Sequence, residues 1–545
     1  MASTNPPIQE TPPPTAAETS PGEKKAAFVD VSSVRDEPTS SSGLFSRFRS
    51  RFSVTPATGT PVYRPRPPPS GTSTPDSRIL RFLKFLGPGA IISVAYVDPD
   101  NYQTAISSGS SFQYKLLFMV LVSNIIAIYI QSLCVKLGTV TGLDLAQLNH
   151  RYLPRWLDLV IYAVAEASII ATDLGQVIGQ AIALNILIPK LPLPAACVLS
   201  VLDTLLILLF YSPTGELRRV RLFEIFVGLL VAAVFVTLCV VLSMVDAPVG
   251  AVFRGYVPSR EIFVDEGLYE SCAMLGGTLM PHALYVGTAL SRTRLHDYDS
   301  KSDVVVSNNT PETSTETLAP YRPSLGAIKA CMGYAIAELT VTLFTVAVFV
   351  NSALVIIAGS AFYHASDGDG DGDGDDETEI SSDLYDLFHL FSETIAPVAG
   401  ILFAVSLLFS GVSAGIVSTM AGQIVMEGAF NIRVSPFLRR LITRCVAIIP
   451  ALIIAVSVGQ EGLSKALVAC NYLLAIALIP ITFPLVFFTG WSKVMKVPGD
   501  EGTGMVDLKN GIAVAVIAWL LWVLVVVMDV ATIVLVGLGI TEDDG

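Results

Sequence analysis

Two short segments of the 545-residue chain combine helix-breaking residues with side chains that bind metal ions. In the first, Asp98 and Asn101 offer oxygen donors at a spacing that lets one irregular turn present both. In the second, Met280 offers a thioether sulfur directly before Pro281. Oxygen together with sulfur disfavours Mg²⁺ and Ca²⁺, which take oxygen ligands alone, and suits Mn²⁺, Fe²⁺ or softer ions. The residues therefore predict a site for a divalent transition metal.

Each segment lies inside a long apolar run and interrupts it. The first run contains Gly87-Pro88-Gly89 and Asp98-Pro99, and the second contains Gly276-Gly277 and Pro281. A break frees backbone carbonyls, which become ligands where the break lines a cavity, so the carbonyl of Gly277 joins the candidate donors. Paired interrupted helices in corresponding positions of two halves mark the substrate site of inverted-repeat transporters.

The composition is that of a helical membrane protein. Hydrophobic residues make up 52% of the chain and charged residues 15%, against about 25% charged residues in soluble domains. Runs long enough to cross a bilayer as helices recur along the chain. Eleven candidate spans lie near residues 82–109, 115–136, 157–187, 193–211, 222–245, 265–290, 328–358, 393–427, 440–457, 464–490 and 511–537. If spans one to five repeat as spans six to ten, the two interrupted runs occupy corresponding positions.

Basic residues are unevenly distributed over the connecting loops. With the N-terminus in the cytoplasm, 18 Lys and Arg residues fall in inner loops and 5 in outer segments, as the positive-inside rule requires. The acidic loop from Asp367 to Glu379 then lies outside; it fits neither EF-hand register, so we expect it only to concentrate cations weakly. The sequon Asn308-Asn309-Thr310 falls inside, so we expect no glycan on it.

These patterns divide the chain into three parts. Residues 1–78 are rich in Pro, Ser and Thr and predict a disordered cytoplasmic tail. Residues 79–490 predict a ten-helix transporter core, and residues 491–545 an eleventh helix with a short acidic tail. The net charge of −13 speaks against a nucleic-acid partner. Seven cysteines without a CxxC indicate neither a disulfide framework nor a zinc site, and the HExxH motif of zinc hydrolases is missing, so we expect no enzyme.

The two interrupted segments resemble the signature motifs of a known family. Asp98-Pro99-Asp100-Asn101 is similar to the DPGN motif, and the segment from Met280 to Tyr285 to the MPHNLY motif, of the NRAMP (natural resistance-associated macrophage protein) metal-ion transporters. The resemblance covers roughly residues 80–490, in order. Further matching segments are Ala165-Glu166, Ala171-Thr172-Asp173-Leu174, Glu338, Asn351, the run from Ala421 to Gly428, and the arginines of the run from Arg439 to Arg444.

This resemblance implies both a fold and a function. The fold is an all-α, LeuT-like 5+5 inverted repeat with about eleven transmembrane helices, of which the first and sixth are broken. The function is proton-coupled import of Mn²⁺, Fe²⁺ and related ions into the cytoplasm, with Asp98, Asn101, Met280 and the carbonyl of Gly277 holding the metal. We expect a monomer in the plasma membrane or an endosomal or vacuolar membrane, with no cofactor and with metal ions and protons as its transported substrates.

Proton coupling needs groups that change charge within the membrane. Metal binding demands the Asp98 carboxylate and so expels a proton. His282, one turn past the second break, is a candidate relay because histidine titrates near physiological pH.

A second set of charged residues predicts a route for the proton. Glu166 and Asp173 are seven residues apart and therefore share one face of span three. By similarity to the family, this face leads protons inward and pairs with arginines of span nine, where Arg440 and Arg444 lie four apart. A purely structural ion-pair network is the alternative.

Three residues depart from the family pattern: Asp100 replaces a glycine, Gln176 replaces an acid and Ala283 replaces an asparagine. Asp100 adds a second carboxylate at the break and is a candidate selectivity modifier, while Gln176 cannot exchange a proton. One alternative function is therefore a transporter of the same family with altered ion choice, such as Mg²⁺ or a trivalent ion, and weak or absent proton coupling. A metal sensor that does not transport, with a signalling tail, is another.

Overall fold

A computed structural model describes most of the chain between residues 88 and 537. The described residues are 55–56, 88–200, 217–263, 265–301, 322–367, 384–392, 396–430, 432–433, 436–499 and 504–537. Several predictions fall outside them: nearly all of the N-terminal tail, the second half of the fourth span, the sequon, most of the acidic loop and the C-terminal tail.

The described residues are almost entirely helical. The helices are α1 (Pro88–Val94), α2 (Pro99–Phe112), α3 (Leu117–Thr141), α4 (Leu145–Tyr152), α5 (Arg155–Leu187), α6 (193–200), α7 (Leu217–Met244), α8 (Val249–Gly255), α9 (Asp265–Leu279), α10 (Pro281–Lys301), α11 (Leu325–Thr342), α12 (Val348–Asp367), α13 (Leu384–Leu390), α14 (Pro397–Phe430), α15 (Pro436–Ser457), α16 (Gln460–Gly490), α17 (Ser492–Met495) and α18 (Ile512–Gly537). A 3₁₀ turn at Arg260–Phe263 precedes α9, and a π-helical segment at Leu343–Ala347 joins α11 to α12.

Four short strands accompany the helices. The strands are β1 (Thr55–Pro56), β2 (Ile432–Arg433), β3 (Lys496–Pro498) and β4 (Met505–Asp507). They form two antiparallel pairs, β1 with β2 and β3 with β4, and Val497 faces Val506 in the second pair. The β3–β4 hairpin connects the tenth span to the eleventh.

The predicted spans coincide with this helix order, and the first and sixth are broken as predicted. The first span consists of α1 and α2 with a break at residues 95–98, and the sixth consists of α9 and α10 with a break at Met280. Within the described residues, six helices are long and apolar enough to cross a membrane uninterrupted. The broken spans are not among these six because α1, α2 and α9 are too short, and α10 carries several charged residues in its second half.

Some boundaries differ from the prediction for local reasons. The second span continues to Thr141, where Gly142 takes a left-handed φ of 68° and its N–H donates to the carbonyl of Gly138. A glycine in this conformation ends a helix without steric cost. The following helix α4, which the apolar pattern did not predict, begins with a capping box between Asp144 and Gln147.

The breaks lie between two apolar cores. One core contains buried residues of α1 and α10, such as Ile91 and Leu284, and the other contains buried residues of α2 and α9, such as Tyr102 and Met274. The first span thus contributes α1 to one core and α2 to the other, whereas α9 contributes to both cores, since Leu279 belongs to the same core as α10. Because the helices stop between the cores, polar groups at the breaks are enclosed by protein.

Candidate metal centre

The first break is produced by local helix signals. Asp98 is the N-cap of α2, and its Oδ1 accepts a hydrogen bond from the N–H of Asn101 at 3.2 Å. Pro99 occupies the first turn, where its missing N–H costs nothing. An N-cap aspartate followed by proline starts a new helix at this point, so the chain cannot continue α1 into α2.

Freed carbonyls of the first break are held by neighbouring side chains. The carbonyl of Tyr96 accepts from Nδ2 of Asn101 at 3.2 Å, and the carbonyl of Val97 accepts from Oγ of Ser410 at 2.9 Å. Ser410 lies on α14, the eighth span. The break is therefore fixed to the body of the protein and oriented by it.

The second break has the same origin. Pro281 is the first residue of α10 and cannot donate the hydrogen bond that would extend α9. Met280 is the single non-helical residue between the two helices, and its side chain is fully buried. Gln131 of α3 donates to the carbonyl of Ala283 at 3.0 Å, which fixes the start of α10.

The two breaks meet at Gly277. Asn101 Oδ1 lies 2.5 Å, and Asn471 Oδ1 3.0 Å, from the position that a β-carbon on Gly277 would occupy. Oxygen atoms from the first and tenth spans thus converge on the backbone of the sixth. The structure brings together Asn101 and Gly277 as the sequence predicts, and it adds Asn471.

Some buried oxygen atoms at this junction have no hydrogen-bond partner. Among the described residues, Asp98 Oδ2 and Asn471 Oδ1 have no hydrogen-bond partner, although Asp98 and Asn471 are 0% exposed. A buried polar atom without a partner is costly and usually has a functional reason. Two buried oxygens without partners are groups that a cation could satisfy.

Asp100 lies at the same break but points in another direction. Its carboxylate packs on α5, where a β-carbon at Gly175 would overlap it, and the side chain of Pro99 packs in the same way on Gly179. Gly175 and Gly179 are four residues apart, so they lie on the same face of α5, and the first break packs against this face. Within the described part of the chain, neither carboxylate oxygen of Asp100 has a hydrogen-bond partner.

Asn471 was not predicted from the sequence. Its Nδ2 donates to the carbonyl of Asp100 at 3.0 Å and to Oγ1 of Thr104 at 2.6 Å. The available signal was a single asparagine inside the apolar run of span ten, since an amide in a membrane helix requires a polar partner.

A polar cluster next to the breaks contains three of the predicted proton-route residues, Asp173, His282 and Arg444. Asp173 Oδ1 accepts from Oγ of Ser418 at 2.8 Å, and Arg444 Nη1 donates to the carbonyl of Asp173 at 3.1 Å. Arg444 Nη2 also reaches Oε1 of Gln176 at 3.3 Å. His282 Nδ1 lies 3.4 Å from Oγ1 of Thr172, the residue before Asp173.

Glu166, the other predicted acid of span three, contacts Arg439, an arginine that the sequence did not single out. Both of its carboxylate oxygens are 2.8 Å from Nη2 of Arg439, which is 6% exposed. The side chain of Arg440 is outside the described residues. The predicted contact between spans three and nine is thus present, with Arg439 and Arg444 as the arginines that the structure describes in it.

Two further residues of the family pattern lie in the seventh span. Glu338 is buried and its Oε1 accepts from the N–H of Gly89 at 3.0 Å, so it caps the start of α1. Asn351 is also buried, and neither of its amide atoms has a hydrogen-bond partner among the described residues. The π-helical segment lies between them along the chain.

The donor set is not a cluster of acids and imidazoles. Over the described ranges, no three His, Cys, Asp or Glu residues are grouped so that they could hold a metal ion. The candidate ligands are instead the Asp98 carboxylate and Met280 thioether at the breaks and the Asn101 and Asn471 amides that meet the backbone at Gly277.

Comparison with known proteins gives a consistent result. The family model described as natural resistance-associated macrophage protein-like matches residues 89–535. The chain is 46% identical to "Manganese transporter SMF1" of Saccharomyces cerevisiae over 76% of this chain and 72% of that protein. It is 43% identical to "Iron transporter SMF3" of the same yeast over 77% of this chain and 85% of that protein.

A solved structure is similar over nearly the whole length. The crystal structure of the Eremococcus coleocola manganese transporter in complex with an aromatic bis-isothiourea substituted compound aligns with a TM-score of 0.68 and 26% identity, covering 88% of this chain and 92% of that one. The predicted fold class, an all-α membrane protein with a LeuT-like inverted repeat and broken first and sixth helices, is confirmed.

Proposed function

The chain belongs to the Nramp family of membrane transporters, whose model matches it from residue 89 to residue 535, and we propose that it imports divalent transition-metal ions. The substrates are Mn²⁺ and Fe²⁺, carried into the cytoplasm with coupled proton movement. The metal binds between the two helix breaks, to Asp98, Asn101, Met280 and the carbonyl of Gly277. Relatives named as manganese and iron transporters support the choice of ions.

One observation carries this proposal. Asp98 and Met280 lie at the interruptions of two spans, both are fully buried, and Oδ2 of Asp98 has no hydrogen-bond partner within the described residues. A cation at this point satisfies that oxygen and neutralises the carboxylate. The thioether favours Mn²⁺ and Fe²⁺ over Ca²⁺, because Ca²⁺ takes oxygen ligands.

Proton coupling follows from the chemistry of the ligand. Metal binding requires Asp98 as a carboxylate, so binding to the protonated form releases a proton. His282, next to Thr172, and the cluster of Asp173, Gln176 and Arg444 offer polar groups that lead from the breaks along span three. Glu166 with Arg439 continues this line. We propose this series as the route of the proton.

The orientation rests on the distribution of basic residues. The N-terminus lies in the cytoplasm, and the host membrane is the plasma membrane or an endosomal or vacuolar membrane. Two facts of the fold support this topology. The predicted inner loops before span three, before span seven and after span ten line one common cavity, and the predicted outer segments pair through Lys115 and Glu261 at 3.0 Å. The functional unit is a monomer.

Metal and proton fluxes in proteoliposomes test the proposal. The native protein should accumulate Mn²⁺ well beyond one ion per protein and should acidify a pH-sensitive dye in the lumen. Asp98→Ala should abolish both signals. Asp529→Asn is the matched control, because Asp529 is an equally buried acid in α18, away from the breaks; its Mn²⁺ uptake should remain. Accumulation that saturates at one ion per protein would instead identify a sensor.

A second candidate function is supported by Asp100. Its buried carboxylate has no hydrogen-bond partner among the described residues and follows Asp98 by two positions. Extra negative charge at a site favours harder or more highly charged ions. On this alternative the protein carries Mg²⁺ or a trivalent ion with weak proton coupling. Asp100→Gly should then convert a Mg²⁺-permeable protein into one that Mg²⁺ no longer enters; identical Mg²⁺ flux in both forms would exclude the alternative.

A further inference from the structure

A cavity of about 530 Å³ opens at one end of the helix bundle, and none of its lining residues belongs to the helix breaks. It lies where three connecting segments meet: the turn between α3 and α5, the residues before α11, and the β3–β4 hairpin with the end of α16. Its polar and aromatic lining residues are Thr141, Arg151, Tyr152, Arg322, Trp491, Ser492, Lys493 and Lys496. The proposed transport mechanism does not use this cavity.

The cavity carries a strong positive charge. Arg151, Arg322, Lys493 and Lys496 line it and are all exposed, and the described residues of the lining contain no acid. Asp507 faces Lys496 across the hairpin. Asp507 also pairs with Lys509 at 3.9 Å, so its negative charge is shared between the two lysines. Four cations around one opening form a site for a multiply charged anion.

The cavity surface below the four basic side chains is aromatic and apolar. The rings of Tyr152 and Trp491 meet edge to face with centroids 5.8 Å apart. Arg151 lies over Tyr152 and Lys493 over Trp491, each at 5.7 Å from the ring centroid. Half-buried tyrosine and tryptophan with a polar edge are typical of the membrane–water interface. The opening therefore lies at the level where lipid headgroups are found.

The walls of the cavity are held in place by hydrogen bonds. Leu508 N–H donates to the carbonyl of Met495, and Asn510 N–H donates to the carbonyl of Thr489. Lys136 Nζ donates to Oδ1 of Asn510 at 2.8 Å and ties the hairpin to α3. The segment that carries Lys493 and Lys496 is thus a preformed frame, which reduces the entropy that a ligand must overcome.

We propose that this cavity binds a phosphorylated anion, the headgroup of a phosphoinositide lipid. Lysine and arginine are the side chains that bind phosphate, and basic pockets between membrane helices on the cytoplasmic side recognise anionic headgroups. The aromatic floor accommodates the glycerol end of such a lipid, and all three loops belong to the predicted inner side. A free inositol phosphate has the same phosphoryl chemistry, so the test separates the two sources.

The full-length protein in phosphatidylcholine nanodiscs is titrated with two probes, dioctanoyl phosphatidylinositol bisphosphate and soluble inositol trisphosphate. The readouts are the dissociation constant and the shift in unfolding temperature. The variant Arg322→Gln/Lys493→Gln/Lys496→Gln removes three cavity cations. At roughly fivefold per cation near a membrane surface, it should weaken binding roughly a hundredfold. The matched control is Lys190→Gln/Arg254→Gln/Arg260→Gln, which removes three exposed cations elsewhere.

The possible outcomes distinguish a lipid ligand, a soluble phosphorylated anion and the absence of binding at this cavity. Tighter binding of the lipid than of inositol trisphosphate, lost only in the cavity variant, assigns the site to a lipid. Equal binding of both probes, again lost only in the cavity variant, assigns it to a soluble phosphorylated anion. Failure of both probes to bind the native protein, or an equal loss in the control variant, would overturn the proposal. Mn²⁺ uptake in phosphatidylcholine vesicles should be the same in all forms, since none of these residues lies at the breaks.

Discussion

The carboxylate of Asp100 rests directly on Gly175, and a β-carbon at residue 175 would overlap it. This contact joins the first break to span three. It explains why α5 carries glycine at residues 175 and 179, since any larger residue on this face would displace the break. The fit between these two spans therefore controls where Asp98 and Asn101 are held.

Gly175→Ala should displace the first break and reduce Mn²⁺ uptake. Overpacking of this kind costs about 1–3 kcal/mol, which corresponds to roughly a 5- to 150-fold change in an equilibrium constant. Asp100→Gly in the same chain removes the overlapping atoms and should restore uptake. In Gly179→Ala the overlap is with Pro99, so Asp100→Gly should give no rescue there. Rescue of both alanine variants, or of neither, would contradict the contact described here. Uptake by cells at equal surface abundance measures these differences.

Met280→Ala should reduce the preference for Mn²⁺ over Ca²⁺. Loss of a direct ligand should weaken Mn²⁺ at least as much as the roughly 10- to 100-fold loss that follows removal of a partner one shell further out. Ca²⁺, which does not need the thioether, should be affected less.

Met274→Ala is the matched control, because Met274 is a buried methionine of the same span outside the break. Both substitutions leave a cavity of similar size and should lower stability similarly. Competition of Ca²⁺ against ⁵⁴Mn²⁺ uptake is the measurement, and equal selectivity in the two variants would exclude a thioether ligand.

Glu166 and Arg439 offer a test of the proton route against a structural ion pair. Glu166→Ala leaves the buried guanidinium of Arg439 without its carboxylate and should cost about 3–5 kcal/mol of stability. The double variant Glu166→Gln/Arg439→Gln removes both charges and should be far less destabilised. If the pair belongs to the proton route, the double variant loses proton flux while retaining its unfolding temperature. Retention of both properties would show a purely structural pair.

The pH dependence of uptake should not arise from the outer ion pair. The hydrogen bond from Lys115 holds the pKa of Glu261 below its ordinary value. A carboxyl with a lowered pKa stabilises the folded state above its unfolded pKa and loses that contribution only as the pH falls through the lower, folded value. The pair therefore stays ionised between about pH 5 and 7.5, given an ordinary value of about 4.3. Lys115→Gln should leave the shape of the pH–uptake curve unchanged, and a shifted curve would contradict this.

The helix breaks could be predicted from the sequence because their causes are local. Asp98 before Pro99 starts a helix, and Pro281 removes a hydrogen bond, whatever surrounds them. The order of apolar spans was predictable for a similar reason, since about 20 apolar residues suffice to cross a bilayer. The ends of the helices were less predictable, because a single glycine such as Gly142 decides them.

The partners of the breaks could not be predicted from local patterns. Asn471 reaches the carbonyl of Asp100 across 371 residues of sequence, and only packing of the tenth span against the first brings them together. The arginine at Glu166 shows the same limit. Helical spacing drew attention to Arg440 and Arg444 but not to Arg439, which the rotation of α15 brings to Glu166. Rotation of a helix about its axis depends on neighbours that the sequence pattern does not reveal.

The central claim, that one cation binds between the two breaks, can be tested by anomalous diffraction from crystals grown with Mn²⁺. Data collected at the manganese absorption edge should show one strong peak within coordination distance of Asp98, Asn101 and the sulfur of Met280, and the peak should vanish in Asp98→Ala. A peak that lies elsewhere in the protein, or one that persists in Asp98→Ala, would contradict the account.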